Sequence, residues 1–336
     1  MPYSTATVSA AEQAALTAGR PLLLGTNHVR NLTSGTTQLE WSSSGDWTDS
    51  APAGAANRTD ASYPTTRAWD GYLHADTRPT GNAGTEGSGL STRYVYYLLA
   101  DLVESSLATH TVDSVMVRPL NVSSWPGVAT VQVQIADDAA FSTNLLTIAS
   151  FTTTALADRK LVDFNLSTGA GANLYGRFTS VRYARLRISS TATWGTVRPQ
   201  IGERVMGRRR QLGHNPRIPH DERPALSSVG DFTAKSQLRS RYVYASGQRN
   251  IEAGLMPSTS GTYAIDEVAE LRSWFAECGY GTRPFLYLEP VVSGQTQTSY
   301  WMILDDPSLA MPLNGPFHRS VTLAMEEQPP FATGES

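Results

Sequence analysis

The sequence predicts a mostly β protein with two domains, an N-terminal jelly-roll sandwich and a C-terminal small β-barrel that packs one α-helix. Its 336 residues suit two domains of ordinary size. Charged residues make up only 17% of the chain, and the abundant Ser, Thr and Gly favour short strands joined by turns. Apolar and polar residues alternate along much of the chain, whereas a convincing helical period occurs once, in the last third.

Alternating segments before residue 207 predict the strands of the sandwich. In the segment 130–135, Val131, Val133 and Ile135 fall on one face and two glutamines on the other. The segments 111–117, 162–166 and 184–188 repeat this pattern. Each is typical of a half-buried strand with an apolar inner face and a hydrated outer face. We therefore assign residues 1–206, including an N-terminal extension, to the sandwich domain.

A polar segment separates the two predicted domains. Residues 207–223 read GRRRQLGHNPRIPHDER, which is rich in Arg, Pro and Gly and has no apolar period. This composition predicts a linker or a long exposed strap. The second domain then comprises residues 224–336, and its predicted strands are 239–244, 248–254, 284–288, 299–304 and 320–325.

The helical segment of the second domain spans residues 266–278. Asp266 is a suitable N-cap, and Gly279 can adopt the left-handed conformation that ends many helices. One apolar face is predicted to pack on the strands, and its members are Val268, Leu271, Trp274, Phe275 and Cys278. Because Cys278 is the sole cysteine, no intrachain disulfide can form, and we expect an inert core thiol.

Several functional classes find no support in the sequence. A net charge of −3 argues against a nucleic-acid partner, and no apolar run is long enough to span a membrane. The start of the chain lacks the pattern of a signal peptide, which predicts synthesis and folding in a cytoplasm. No nucleophile elbow, zinc-binding H-E-x-x-H or phosphate loop occurs. We therefore predict a protein that is not an enzyme and carries no cofactor or metal.

One segment of the first domain is a candidate binding site. Residues 69–77 read WDGYLHADT, and its candidate contact residues are Trp69, Asp70, His74 and Asp76. Aromatic faces and carboxylates suit a host-surface glycan, and the carboxylates suit Ca²⁺. A paired-carboxylate glycosidase is a further alternative. A buried Trp followed by a tight Asp-Gly turn explains the same residues without any ligand, and we favour that interpretation.

A basic run lies at the predicted domain junction. It comprises Arg204, Arg208, Arg209 and Arg210. A nucleic-acid or phosphate site would use such a run. In a chain of net negative charge, a solvated linker or a salt-bridged contact between subunits fits better, since the planar guanidinium pairs two carboxylate oxygens.

The ordered motifs of the first domain resemble the galactose-binding-like jelly roll of discoidin and many carbohydrate-binding modules. The motifs are WDG at 69–71, YYLLADL at 96–102, VQVQIADD at 131–138, YARLRI at 183–188 and PQIGERVMG at 199–207. The resemblance implies a sandwich that either binds sugar or serves as a spacer, so it leaves function open.

The second domain carries a sharper resemblance. DEVAELRSWFAECGYG at 266–281 leads into TRPFLYL, then YWMIL at 300–304 and HRSVTLAMEEQPP at 318–330. This order resembles tail-tip protein M of phage lambda and the ring domain of siphophage distal tail proteins. In those distal tail proteins the accessory domains follow the ring domain, whereas here the sandwich is predicted to come first.

The tail-tip resemblance implies a structural role in a virion. The second domain would form a homo-oligomeric ring, a hexamer or, where the tube symmetry is lower, a trimer. The ring would join the tail tube protein to the central baseplate hub protein, with the sandwich projecting outward. The alternative is a tail-borne carbohydrate- or receptor-binding protein that uses the 69–77 segment.

Overall fold

The computed structural model describes most of the chain. The described residues are 2–30, 39–43, 59–69, 76–102, 110–152, 161–168, 175–215, 221–232, 238–255, 265–291, 299–304, 309–312 and 319–327, with the backbone described for 221–232 and 238–255. Strands make up 43% of the structure and form several antiparallel sheets. The mostly β class is therefore confirmed.

The described chain has two α-helices and eighteen strands. In chain order they are β1 (Ser4–Thr5), α1 (Ala10–Thr17), β2 (Leu22–Leu24), β3 (Leu39–Ser42), β4 (Gly84–Glu86), β5 (Arg93–Asp101), β6 (Ser114–Pro119), β7 (Ala129–Ala136), β8 (Leu146–Thr152), β9 (Leu161–Asp163), β10 (Phe178–Thr179), β11 (Tyr183–Ser190), β12 (Ile201–Gly207), β13 (Arg210–Gln211), β14 (Asp221–Phe232), β15 (Leu238–Leu255), α2 (Glu267–Glu277), β16 (Phe285–Leu288), β17 (Ser299–Leu304) and β18 (Arg319–Glu327).

The chain divides into two compact units whose boundaries differ from the prediction. Unit 1 comprises Met1–Val8 and Thr26–Arg208, and unit 2 comprises Ser9–Gly25 and Arg209–Ser336. The assignment of residues 1–206 to one domain is thus wrong for Ser9–Gly25. That segment contributes α1 and β2 to the second unit, because β2 pairs with both β13 and β16. The sandwich is therefore inserted into unit 2 rather than placed before it.

Unit 1 is a sandwich of two main sheets. The larger sheet has the order β3-β5-β11-β7-β8, with β4 also on β5, and the smaller has the order β12-β6-β9. In the register of the larger sheet, Leu186 of β11 lies opposite Leu98 of β5 and Val133 of β7. These residues belong to one buried core that also contains Val115 and Val117 of the smaller sheet. The alternating segments 111–117, 130–135 and 184–188 predicted this inner face correctly. In the segment 162–166 the prediction is wrong for Val162, because the neighbouring Leu161 lies opposite Val117 and belongs to the core.

Unit 2 is built on a single antiparallel sheet with the order β13-β2-β16-β17-β18-β15-β14. Helix α2 packs on it, and the Trp274 and Phe285 rings meet edge to face at 4.8 Å. The predicted helix is confirmed, since the Asp266 side chain accepts a hydrogen bond from the Ala269 N–H at 3.0 Å and Cys278 is the C-cap. Cys278 is fully buried, as predicted.

The predicted linker at 207–223 is wrong for half of its described residues, which lie in strands. Gly207 ends β12, Arg210–Gln211 forms β13, and β14 begins at Asp221. Strand β13 forms because Arg210 and Gln211 lie opposite Leu23 and Leu22 of β2. The sequence has no apolar period there, since a two-residue strand is too short to show one. Residues 216–220 lie outside the described part.

The β14–β15 hairpin extends beyond the other described strands of unit 2. Strand β15 pairs with β18 through residues 248–255, and with β14 through residues 238–250. Residues 238–247 therefore have β14 as their partner among the described strands. About ten residues per strand at about 3.3 Å each give an arm of roughly 33 Å. A two-stranded ribbon of this kind is marginally stable in water by itself.

Burial of the sandwich core predicts unequal costs for two identical substitutions. Leu186 is fully buried, whereas Leu90 is 106% exposed in the same unit. Leu186→Ala should lower the free energy of unfolding by about 2–5 kcal/mol through lost burial and a residual cavity. Leu90→Ala should change it by less than about 0.5 kcal/mol. Urea unfolding of the full chain measures both, and equal costs would contradict the described core.

Candidate functional site: a groove at the end of helix α2

The described members of the predicted glycan site have structural partners. Trp69 packs against the core of unit 1. Asp76 is largely buried and forms an ion pair with Arg78, with Oδ2 at 2.8 Å from Nε. The Arg78 guanidinium in turn lies 3.5 Å from the centre of the Tyr63 ring. Asp70 and His74 lie outside the described residues. The contacts of Trp69 and Asp76 agree with the ligand-free interpretation of this segment.

Arg204 is a core residue of the sandwich rather than part of an exposed strap. It is fully buried on β12, where one guanidinium nitrogen donates to the Leu98 carbonyl at 3.1 Å and another contacts the Met206 sulfur at 3.2 Å. Burial lowers the pKa of Arg204 to about 9. The predicted solvated or subunit-contact role is wrong for this residue, because its side chain lies inside its own chain.

The remaining arginines of the run also differ from the prediction. Arg209 is 1% exposed, and Arg208 is half-buried. Arg210 on β13 binds two carboxylates of α2, Glu277 through Nε at 3.1 Å and Glu270 at 3.6 Å. Arg210 thus joins a strand to the helix of the same unit. A contact between subunits is wrong for Arg209 and Arg210, and stays a prediction for Arg208.

Two histidines form a buried pair in unit 1. The His28 Nε2 lies 2.9 Å from the Thr111 carbonyl oxygen, which only accepts, so we assign a proton to this nitrogen. The His28 Nδ1 then accepts from the His110 Nδ1 at 3.1 Å. Burial, and secondarily the charge of His110, lower the pKa of His28 from 6.5 to about 4, against opposing effects of Thr111 and Asp113. Both hydrogen bonds of His28 can form when the two rings are neutral, which agrees with a structural role for the pair.

A buried carboxyl lies on the outer face of the larger sheet. Glu40 of β3 is 7% exposed and lies opposite Leu99 of β5, which belongs to a small apolar cluster with Tyr97. Burial raises the pKa of Glu40 to about 7. Its apolar surroundings favour the protonated carboxyl at mildly acidic pH.

A groove on the described surface of unit 2 has a lining that suits ligand binding. It has a volume of about 490 Å³ and lies at the C-terminal end of α2. Its lining comprises Arg272, Phe275, Tyr280, Leu309, Met311 and Arg319. We call it the α2 groove. Four apolar or aromatic side chains and two guanidinium groups suit a ligand that is partly apolar and negatively charged.

The end of α2 fixes one wall of the α2 groove. The Tyr280 N–H donates to the Phe275 carbonyl at 2.8 Å and the Gly279 N–H donates to the Ala276 carbonyl at 3.0 Å, which is the Schellman pattern. Tyr280 has a φ of 57°, uncommon for a residue with a side chain. Its ring meets Phe275 edge to face at 5.9 Å and is still 68% exposed. A strained backbone thus holds an exposed aromatic ring beside the groove.

Among the described residues, the two groove arginines have no carboxylate partner. Arg319 donates to the Met311 carbonyl at 2.9 Å, and Arg272 is exposed on α2. By contrast, Arg210 on the same unit has two carboxylate partners. The α2 groove therefore presents positive charge next to apolar surface.

Sequence reasoning did not find the α2 groove. The helical period placed Phe275 on the apolar face of α2, where it was predicted to be core. Leu309, Met311 and Arg319 come from segments more than thirty residues beyond the end of α2, after strands β16 and β17. The one local signal is the Gly279-Tyr280 pair, since an aromatic residue directly after a helix-ending glycine is brought back over the last turn.

Comparison of the chain with protein-family models, curated proteins and solved structures gives no significant match. Neither helix of the described chain is long and apolar enough to cross a bilayer. In the same described ranges, no three His, Cys, Asp or Glu side chains converge in the way that a metal ion requires.

The buried His28 predicts a loss of stability in acid. Its folded-state pKa of about 4 lies below the unfolded value of 6.5, so the unfolded chain binds the proton more tightly. Stability should fall as the pH drops from about 6.5 to about 4, by up to about 3 kcal/mol. His28→Asn should lose this dependence, as measured by urea unfolding at pH 7 and 4.5. The control His214→Asn replaces a half-exposed histidine and should lose stability in acid as the wild type does. If His28→Asn shows the same loss of stability in acid, His28 is not the group responsible for it.

Glu40 predicts the opposite dependence in the same unit. Its folded-state pKa of about 7 exceeds the ordinary 4.5, so stability is lost as the pH rises from about 4.5 to 7. Glu40→Gln should therefore gain stability relative to the wild type between pH 5 and pH 8. Thermal melting of both proteins at the two pH values measures this gain. If the difference in melting temperature between the two proteins is the same at both pH values, the Glu40 carboxyl is ionised in the folded protein at both, which would contradict the prediction.

Proposed function

We propose that the chain is a structural component of a bacteriophage tail tip. Unit 2 forms a ring of the distal tail type that joins the tail tube to the baseplate hub, and the inserted sandwich is an outward accessory domain. The partners are further copies of the chain, as a hexamer or a trimer, together with the tube protein and the hub protein. The place of action is the virion, after synthesis in the host cytoplasm.

The observation that carries the proposal is the position of the resembling motifs in unit 2. The helix motif is α2, and the three strand motifs that follow it are β16, β17 and β18. These strands are consecutive neighbours in the sheet, and α2 packs on them through one core. The motifs thus belong to one folded module rather than to separated segments, which supports a resemblance at the level of a domain.

The sandwich still does not follow the ring domain, but it is inserted into unit 2 rather than placed before it. Unit 2 begins at Ser9, before the sandwich, and its sheet includes β2. An accessory domain inserted between two adjacent strands leaves the ring module continuous in space. Insertion is tolerated where the two ends of the inserted unit lie close together. Here the His28 N–H donates to the Met206 carbonyl at 2.7 Å, so those ends are adjacent.

The β14–β15 arm supports association with another molecule. Backbone groups on a two-stranded ribbon need a covering partner, and a closed ring gives every copy an equivalent neighbour. We propose that the arm of each copy lies against the next copy in the ring. This is a heterologous contact, in which a different surface of each copy is used on either side.

We propose no catalytic role. His28, Glu40 and Arg204, which have strongly displaced pKa values, are buried in the sandwich and explained by packing. Glycan binding stays a prediction, because the contacts of Trp69 and Asp76 give it no support among the described residues.

Shortening the arm tests the proposed ring. Replacement of residues 226–245 by Asn-Gly keeps the pairs of Arg223 with Gln248 and of Glu222 with Arg249, and it closes the hairpin with a favourable turn. The wild type should form a closed ring by native mass spectrometry and negative-stain imaging, alone or with tube protein. The shortened variant should remain folded and lose the ring.

Two results would contradict the proposal. A wild-type chain that stays monomeric with tube protein present would overturn the ring itself. A shortened variant that assembles as well as the wild type would overturn the role of the arm. Circular dichroism of the variant is the control for folding, because a misfolded variant would lose the ring for an unrelated reason.

A further inference from the structure

The chain enters unit 1 through a short segment that strand β12 holds by backbone and amide hydrogen bonds. We call residues 26–30 the entry segment. The His28 N–H donates to the Met206 carbonyl at 2.7 Å, and the Met206 N–H donates to the Asn27 side-chain oxygen at 3.2 Å. The Asn27 side-chain amide donates to the Arg204 carbonyl at 3.0 Å. None of these three bonds has an ionisable partner, so a change in pH does not act on them directly.

The entry segment is also held by the His28–His110 pair. The two rings meet edge to face at 4.7 Å, and their Nδ1 atoms lie 3.1 Å apart. His110 is 6% exposed, and the other ring nitrogen of His28 faces the Thr111 carbonyl oxygen. A hydrogen bond between two Nδ1 atoms needs a proton on one of them and a lone pair on the other. The closed pair therefore holds a single proton between the two Nδ1 atoms.

A further proton on His28 breaks this bond. It places two N–H donors against each other, and it brings a charge into a buried site. The charged side chains on the neighbouring segments are Arg30, Asp113, Arg177, Glu203 and Arg204. Of these, Asp113 attracts a proton to His28, but Asp113 already binds the Arg177 Nε at 2.9 Å and the Ser114 hydroxyl at 3.1 Å. The charge of His110 opposes a proton on His28, so the closed pair disfavours the charged ring.

We propose that the His28–His110 pair is a pH-sensitive switch that releases the entry segment from the sandwich in acid. This switch acts within unit 1 and does not depend on the proposed ring. Val29 is the entry-segment residue in the main core of unit 1, whereas β5, β7 and β11 each contribute several residues. A segment with few buried apolar contacts opens at a lower free energy than the core does. Release of the entry segment therefore precedes unfolding of the sandwich.

The pH range of the switch follows from the two forms of His28. Burial, and secondarily the charge of His110, lower the pKa of His28 to about 4 in the closed pair, whereas a released ring regains the ordinary value of 6.5. The closed form is therefore favoured near neutral pH and is lost as the pH falls from about 6.5 towards 4. For these two values, the population of the open form at pH 4.5 is roughly fiftyfold that at pH 7.

Hydrogen exchange of the full chain measures the release. Exchange is followed by mass spectrometry at pH 7 and pH 4.5, with correction for the intrinsic exchange rate at each pH. We expect the protection of the peptide that contains the His28 amide to fall at least tenfold at pH 4.5, because that amide is bonded to Met206 in the closed form. Peptides from β5 and β11 should keep their protection. Unchanged protection of the entry segment, or an equal loss in all three peptides, would overturn the proposal.

The variant His110→Asn separates the switch from a general effect of acid. Its amide N–H can replace the Nδ1–H as the donor to His28 at pH 7, and rotation of the amide offers an oxygen to a protonated His28. The loss of protection in acid should therefore be at least threefold smaller than in the wild type. His214→Asn, at a half-exposed side chain of unit 2, is the matched control and should show the full loss. A full loss in His110→Asn as well contradicts the role of the pair.

A measurement on the wild type does not depend on the folding of a variant. Long-range nitrogen–proton NMR spectra of the full chain at pH 7 should show His28 protonated at Nε2 and His110 protonated at Nδ1. If His28 carries its proton on Nδ1 at pH 7, or if either ring is charged there, the closed pair does not exist and the proposal fails.

Discussion

The architecture of this protein depends on the placement of one short strand near its start. Strand β2 lies between β13 and β16 and supplies both with a hydrogen-bonded neighbour. Its residues Leu22, Leu23 and Leu24 are nearly fully buried, so the sheet of unit 2 loses both pairing and core without them. Gly25 follows directly, and a Cβ there would come within 2.5 Å of the Cys278 sulfur. The chain can leave the sheet beside α2 because this residue has no side chain.

This strand also determines where the sandwich begins and ends. The chain enters unit 1 after Gly25 and returns to unit 2 at Arg209, where β13 pairs with β2. Gly207 has an equivalent role in unit 1, since a Cβ there would lie 2.0 Å from the Thr26 carbonyl oxygen. Gly207 thus permits the returning segment to approach the entering segment closely, whereas Gly25 permits the entering segment to pass close to Cys278. A whole domain is accommodated with little disturbance of the surrounding sheet.

The arginines show how context changes the role of one residue type. Arg204 is buried with a carbonyl and a sulfur as its contacts, Arg210 pairs with two carboxylates, and Arg272 lies exposed without an ion pair among the described residues. Burial of a cation is costly unless hydrogen bonds or opposite charges compensate it. Arg204 and Arg210 therefore serve the fold, whereas Arg272 forms no ion pair among the described residues.

The sequence by itself determined the features that depend on neighbouring residues. Alternation along 130–135 and 184–188 identified strands and their inner faces, and the period of 266–278 identified α2 with its capping residues. The tertiary structure alone decided the assignment of Ser9–Gly25, the burial of Arg204 and Arg209, and the α2 groove. Local patterns reflect the geometry of a single helix or strand. Strand partners and buried long side chains depend on contacts between distant segments, such as Leu22 with Gln211, which no local period records.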